Sequence, residues 1–114
     1  MSFDPLASAE YWNRRNHRDA ELLQAKVSRA WNEVERLARD LREKAGVSRV
    51  ILFGSLAEGT VRSEQFDLDL AYEGGDDRQC LRVAETSSFS VDLVDYQSLP
   101  AHVRQRVDRL GKVL

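Results

Sequence analysis

Asp67-Leu68-Asp69 stands inside an otherwise apolar run, Phe66-Asp67-Leu68-Asp69-Leu70-Ala71-Tyr72. The run alternates as a strand does, so both carboxylates share one face while Leu68 and Leu70 turn to a core. Aspartate is a poor strand former. Two like charges about 4–6 Å apart also repel, by roughly a few kcal/mol at an effective dielectric of about 20. A divalent cation relieves that repulsion, and hard oxygen ligands suit Mg²⁺; a strand face turned to water would tolerate it too. The second feature is Gly54-Ser55, directly after the apolar run Val50-Ile51-Leu52-Phe53. Glycine permits close approach of a backbone to a ligand, and a serine at such a corner offers a hydroxyl and an exposed amide to phosphate oxygens. An ordinary tight turn has the same composition.

Asp92 links the two. It lies in Val91-Asp92-Leu93-Val94, a second alternating run, on the face opposite Val91 and Leu93. If the two strands are neighbours, Asp92 joins Asp67 and Asp69. Three carboxylates beside a phosphate-binding corner would suit two metal ions and a nucleoside triphosphate.

The flanking pattern supplies elements to hold these residues. Asp4-Pro5 reads as a helix start, followed by a polar, irregular stretch to Arg18 whose main apolar residues are Tyr11 and Trp12. Leu23, Val27, Ala30, Trp31, Val34, Leu37, Ala38, Leu41 and Ala45 recur at spacings of three and four, predicting an amphipathic helix that Asp19 starts and Gly46 ends. Trp31 belongs to its core stripe. Val47–Phe53 reads as a strand buried on both faces, and residues 56–66 as a loop or short helical turn. Gly74-Gly75-Asp76-Asp77 is a turn, Arg78–Thr86 fits a helix or a strand, and Phe89–Tyr96 alternates as a strand. Ser98 is the expected cap of a last helix carrying Leu99, Val103, Val107 and Leu110 and closed by Gly111, with Lys112–Leu114 as an edge strand.

The chain has 114 residues, 42% hydrophobic and 32% charged, which suits one globular domain of mixed α/β (α+β) class: a small sheet with helices packed against it. Its single cysteine, Cys80, excludes an internal disulfide framework, and the start lacks the pattern of a secretory signal. A cytoplasmic location is the expectation. No apolar run reaches the roughly 20 residues of a membrane span. A net charge of −2 gives no global electrostatic case for a membrane surface or for nucleic acid as a direct ligand. His17 and His102 lack partners at metal-ligand spacing, and Cys80 sits on an apolar face. Arg14, Arg15 and Arg18 form a small cluster that reads as solvated.

The set Val-Ile-Leu-Phe-Gly-Ser-Leu-Ala-Glu-Gly-Thr-Val-Arg (50–62), followed by Asp67-Leu68-Asp69-Leu70 and Val91-Asp92-Leu93-Val94, resembles the DNA polymerase β-like nucleotidyltransferases. It is most similar to the small stand-alone members, the minimal nucleotidyltransferases or MNT proteins, over about Val34–Leu114. The resemblance implies that Gly54 and Ser55 contact a triphosphate and that Asp67 and Asp69 ligate both of two Mg²⁺ ions. Asp92 would ligate the catalytic ion and accept the proton of the attacking hydroxyl, and Arg62 would touch phosphate or remain a solvated loop charge. It implies an ATP substrate and transfer of AMP to a hydroxyl acceptor, plausibly on a partner protein. Small MNT proteins are often encoded beside a helical HEPN partner and resemble the antitoxin of such a toxin–antitoxin pair. The alternative function is therefore a weak or inactive antitoxin that binds and neutralises a HEPN toxin. Either role implies a homo-oligomer or hetero-oligomer.

Three departures bear on activity. Eleven residues, Leu56–Phe66, separate Gly54-Ser55 from Asp67 where ten are usual. Phe66 stands where serine is usual, and Glu58 where many relatives carry a basic residue. The division expected is a helical extension over 1–30, able to supply a partner surface through Tyr11, Trp12 and the Trp31 stripe, and a nucleotidyltransferase domain over 31–114.

Overall fold

The computed structural model describes the backbone from Pro5 to Leu114 and side chains from Arg14 onward. The expected Asp4 cap and the Tyr11-Trp12 pair lie outside the described residues and side chains.

A single helix, α1, runs from Pro5 to Ala45. No break falls at Asp19, whose expected capping role is thereby corrected: the polar stretch before it joins the apolar stripe without interruption. Ala30, Val34, Leu37, Ala38, Leu41 and Ala45 are buried along one side of the helix, and Trp31 packs at their edge, as its spacing predicted. Residues 14–22 are exposed. At about 1.5 Å per residue such a helix spans roughly 62 Å, matching the 65 Å longest dimension of the molecule. Its first half therefore projects beyond the sheet. Gly46, at φ 72°, ends it.

Strand β1 (Arg49–Phe53), helix α2 (Gly54–Glu58), strand β2 (Leu68–Glu73), helix α3 (Asp77–Glu85), strand β3 (Val91–Asp95), a 3-10 turn (Tyr96–Ser98), helix α4 (Ala101–Leu110) and strand β4 (Lys112–Val113) follow. The sheet order is β3-β2-β1-β4. β1 pairs antiparallel with β2 and β4, while β2 and β3 are parallel, joined across α3. The ambiguous segment after Gly75 is thus a helix. Asp76 caps it, accepting from the Gln79 amide at 3.0 Å, and Cys80 and Val83 are buried. Ser98 does not cap α4: it lies in the 3-10 turn and donates to the Asp95 carbonyl, while Pro100 precedes the helix.

Two apolar layers sandwich the sheet. Val50, Leu52, Leu68, Leu70 and Tyr72 face α1 and α3, whereas Ile51, Ala71 and Val107 form a smaller core beneath α4. Period-two alternation in β1 and β2 assigns successive residues to the two layers, so both strands are apolar throughout their centres.

Candidate active site

Gly54 stands where β1 turns into α2, with φ 77°, a conformation that glycine adopts without steric cost. The antiparallel register sets Phe53 opposite Asp69, and the parallel register sets Asp69 opposite Asp92. One row across three strands therefore reads Phe53, Asp69, Asp92. The next row on that face, Ile51, Ala71 and Val94, packs beneath α4. The carboxylates begin where the apolar cover of α4 ends.

Asp69 is the most enclosed of the acids. It is half-buried, while Asp67, immediately before β2, and Asp92 are exposed. Its carboxyl is pushed up to about 6, first by burial, then by the charge of Asp92, then by that of Asp67. The three acids thus share an electrostatic neighbourhood, although Asp69 and Asp92 stand 23 residues apart in sequence. A Cβ built on Gly54 would stand 2.0 Å from Asp69 Oδ2. The glycine is required twice over, for its φ and for the carboxylate lying against its Cα.

Ser55, the second residue of α2, is half-buried beside this corner, and Arg62 is exposed in the loop that follows. The residues suit divalent cations in kind: they are hard oxygen donors, and the ionised form of Asp69 is disfavoured by burial and by its acidic neighbours. They do not form a closed cage. Among the described residues, no group of three or more His, Cys, Asp or Glu side chains stands so that it could hold a metal ion as it is.

The departures in the loop have structural partners. Phe66 packs against Phe89, ring centroids 6.3 Å apart, and the Lys26 ammonium lies 5.2 Å from the Phe66 ring and 5.9 Å from that of Phe89. Lys26 also donates to the Glu64 carbonyl, tying the long loop to α1. Glu58 accepts from Arg106 Nη2 of α4 at 2.7 Å. Between α1 and the loop lies a cleft of about 510 Å³, bordered by Lys26, Arg29, Phe66, Asp67, Phe89 and Ser90. Sequence reasoning missed this cleft, because Lys26 and Arg29 read as ordinary charges on the polar side of an amphipathic helix.

The model of the family described as "Nucleotidyltransferase domain" matches residues 34–108, and the chain belongs to that family. Similar solved structures include chains of toxin–antitoxin complexes, which bears out the resemblance to MNT antitoxins. One, from a toxin–antitoxin solved with AMP-PNP, is 29% identical with a TM-score of 0.53, the match covering 72% of this chain and 69% of that one. A second, from a tyrosine-to-alanine mutant of the toxin–antitoxin MntA–HpeT, is 31% identical with a TM-score of 0.52, covering 73% and 69%. A third, from an MntA–HpeT mutant with two aspartate-to-glutamate changes, is 27% identical with a TM-score of 0.53, covering 72% and 69%. No curated protein sequence matches the chain. No helix among the described residues is long and apolar enough to cross a membrane.

Proposed function

We propose that the chain transfers AMP from ATP to a hydroxyl group on a partner protein, a HEPN-family toxin, as the antitoxin of the pair. The observation that carries this reading is the Asp69–Asp92 register pair beside Gly54. A structural neighbour crystallised with AMP-PNP supports the nucleotide class. Another comes from an MntA–HpeT complex changed from aspartate to glutamate at two positions two apart, the spacing of Asp67 and Asp69.

In this reading Gly54 and Ser55 hold the triphosphate, and the exposed Arg62 is free in position to approach it. Asp67 and Asp69 would hold two Mg²⁺ ions, and Asp92 would share one. Bound there, such ions supply charge neutralisation for the phosphates and the leaving pyrophosphate. The acceptor oxygen bonds to the α-phosphorus, the bond from that phosphorus to the bridging oxygen breaks, and pyrophosphate departs. Asp92, at the open edge of the sheet, takes the hydroxyl proton. The acceptor enters past the exposed Asp92 on the edge strand β3, and the cleft bordered by Lys26, Arg29 and Asp67 receives its protein. Residues 1–30 serve as an extension for partner contact, with 31–114 as the catalytic domain.

The test is incubation with ATP labelled at the α-phosphate, Mg²⁺ and the neighbouring HEPN-like gene product. Label should pass to that partner and vanish with Asp67→Ala or Asp69→Ala. Absence of label with the wild-type protein, despite formation of the complex, would favour the second reading, an antitoxin that neutralises its toxin by binding alone.

A further inference from the structure

The corner at Gly54 contains an acid that opposes the proposed ligand. Glu58 ends α2, four residues beyond Gly54, and its side chain is only 19% exposed. It borders, together with Gly54, Phe53 and Arg106, a cavity of about 160 Å³ between α2 and α4. A carboxylate held this close to a polyanionic triphosphate repels it, the more so where burial lowers the screening.

Arg106 offsets that charge. Neighbouring Val107 is buried against Ile51 and Ala71, so α4 is anchored one residue from the arginine. The Arg106 side chain therefore starts from a fixed backbone and reaches the Glu58 carboxylate at 2.7 Å while its own side chain stays 62% exposed. An ion pair with one partner so exposed is weak and easily exchanged. A guanidinium binds phosphate through paired, charge-assisted hydrogen bonds, which are stronger. The same side chain can therefore exchange the carboxylate for a phosphate at the cavity that Gly54 also borders.

We propose that Arg106 is a nucleotide-binding residue, held in the free protein by Glu58 beside Gly54 and released to the triphosphate when ATP binds, with Glu58 as its internal competitor. This rests on the reading that the Gly54-Ser55 corner holds the triphosphate. It assigns to α4, through a residue 48 positions from Glu58, the cation that the α2 segment itself lacks.

The alternative for this pair is a clamp that fastens α2 to α4, and the two roles differ in sign. Glu58→Gln and Arg106→Gln break the same ion pair. A clamp makes both changes act alike on ATP binding. A competitor makes them act oppositely. Calorimetric titration of the intact protein with ATP and Mg²⁺ reads the difference, with Arg109→Gln as a control for net charge on the same helix. Arg106→Gln should weaken ATP about tenfold, the scale of a lost charge-assisted contact. Glu58→Gln should tighten ATP severalfold, and Arg109→Gln should stay within twofold of wild type. If Arg106→Gln fails to fold by circular dichroism, Arg106→Lys, which keeps the charge and loses the fork, should still weaken ATP severalfold. The proposal is overturned by an Arg106 variant that binds like wild type, by Glu58→Gln binding equally or more weakly, or by an Arg109→Gln loss equal to that of Arg106→Gln. Wild-type protein that does not bind ATP overturns the corner reading itself; wild-type binding with an indifferent Arg106 overturns only the present inference.

Discussion

The carboxylate of Asp69 lies directly against the Cα of Gly54, so close that a methyl group there would meet Oδ2 at 2.0 Å. The contact joins the phosphate corner to the acids at a single point. β1 carries the glycine one residue past Phe53, and Phe53 is the register partner of Asp69. The antiparallel pairing of β1 and β2 thus brings the two motifs together.

Gly54→Ala should therefore fail in two ways. The residue must leave a φ of 77° or strain there, and its methyl must displace the Asp69 carboxylate. Strain at such a position costs about 1–3 kcal/mol. We expect a lowered Tm and loss of ATP-induced thermal stabilisation, both read in one melting series with and without ATP and Mg²⁺. A variant that melts like wild type and still gains stability with ATP contradicts the arrangement.

Asp69 also predicts a pH dependence. Its folded-state carboxyl titrates at about 6, above its ordinary value of 3.8, so the folded protein binds this proton more tightly than the unfolded chain. Stability contributed by the protonated form is full below about pH 4 and is lost as pH rises through 6. In metal-free buffer at pH 8, Asp69→Asn should raise stability. After discounting for partial exposure the gain is on the order of 1 kcal/mol. Below pH 4 the gain should disappear. Chemical denaturation of both proteins at the two pH values checks the sign.

Phe66 is a packed residue rather than a damaged position. Its ring meets Phe89 and lies under Lys26, fastening the long loop just before Asp67. Replacing it with the usual serine, Phe66→Ser, should cost about 1–3 kcal/mol of stability and lower AMP transfer. An unchanged denaturation midpoint would show that the loop does not rely on this ring.

Lys26 and Arg29 border the cleft that reaches Asp67. Reversing both charges, Lys26→Glu with Arg29→Glu, should reduce labelling of the partner protein by at least about tenfold while leaving ATP affinity within about twofold, since the change removes favourable encounter charges and adds repulsive ones. Equal losses in both measurements would place the cleft on the nucleotide side instead.

Much of this was legible in the sequence because the signals are local. Alternation of Asp with Leu in 66–72 and 89–96 marks two strands, and each alternation states which side chains oppose the core. The three-and-four spacing from Leu23 to Ala45 marks the long helix, and Gly46 its end. The motif around Gly54-Ser55 identified the family, since each piece serves the same local turn and strand. The continuity of α1 through Asp19 was hidden for the same reason in reverse. A polar segment has no apolar period to report, and helix continuity then depends on propagation from the packed turns that follow.

Sequence alone determined the inventory: a glycine-serine corner, three aspartates, and the strands that display them, because backbone period and turn chemistry act over a few residues. Tertiary structure alone decided the neighbours. Parallel pairing of β2 with β3 set Asp92 beside Asp69, and packing of α4 over Ile51 and Ala71 carried Arg106 to Glu58. Those meetings join segments 23 and 48 residues apart. They follow from strand register and the burial of a shared core, which no local pattern encodes.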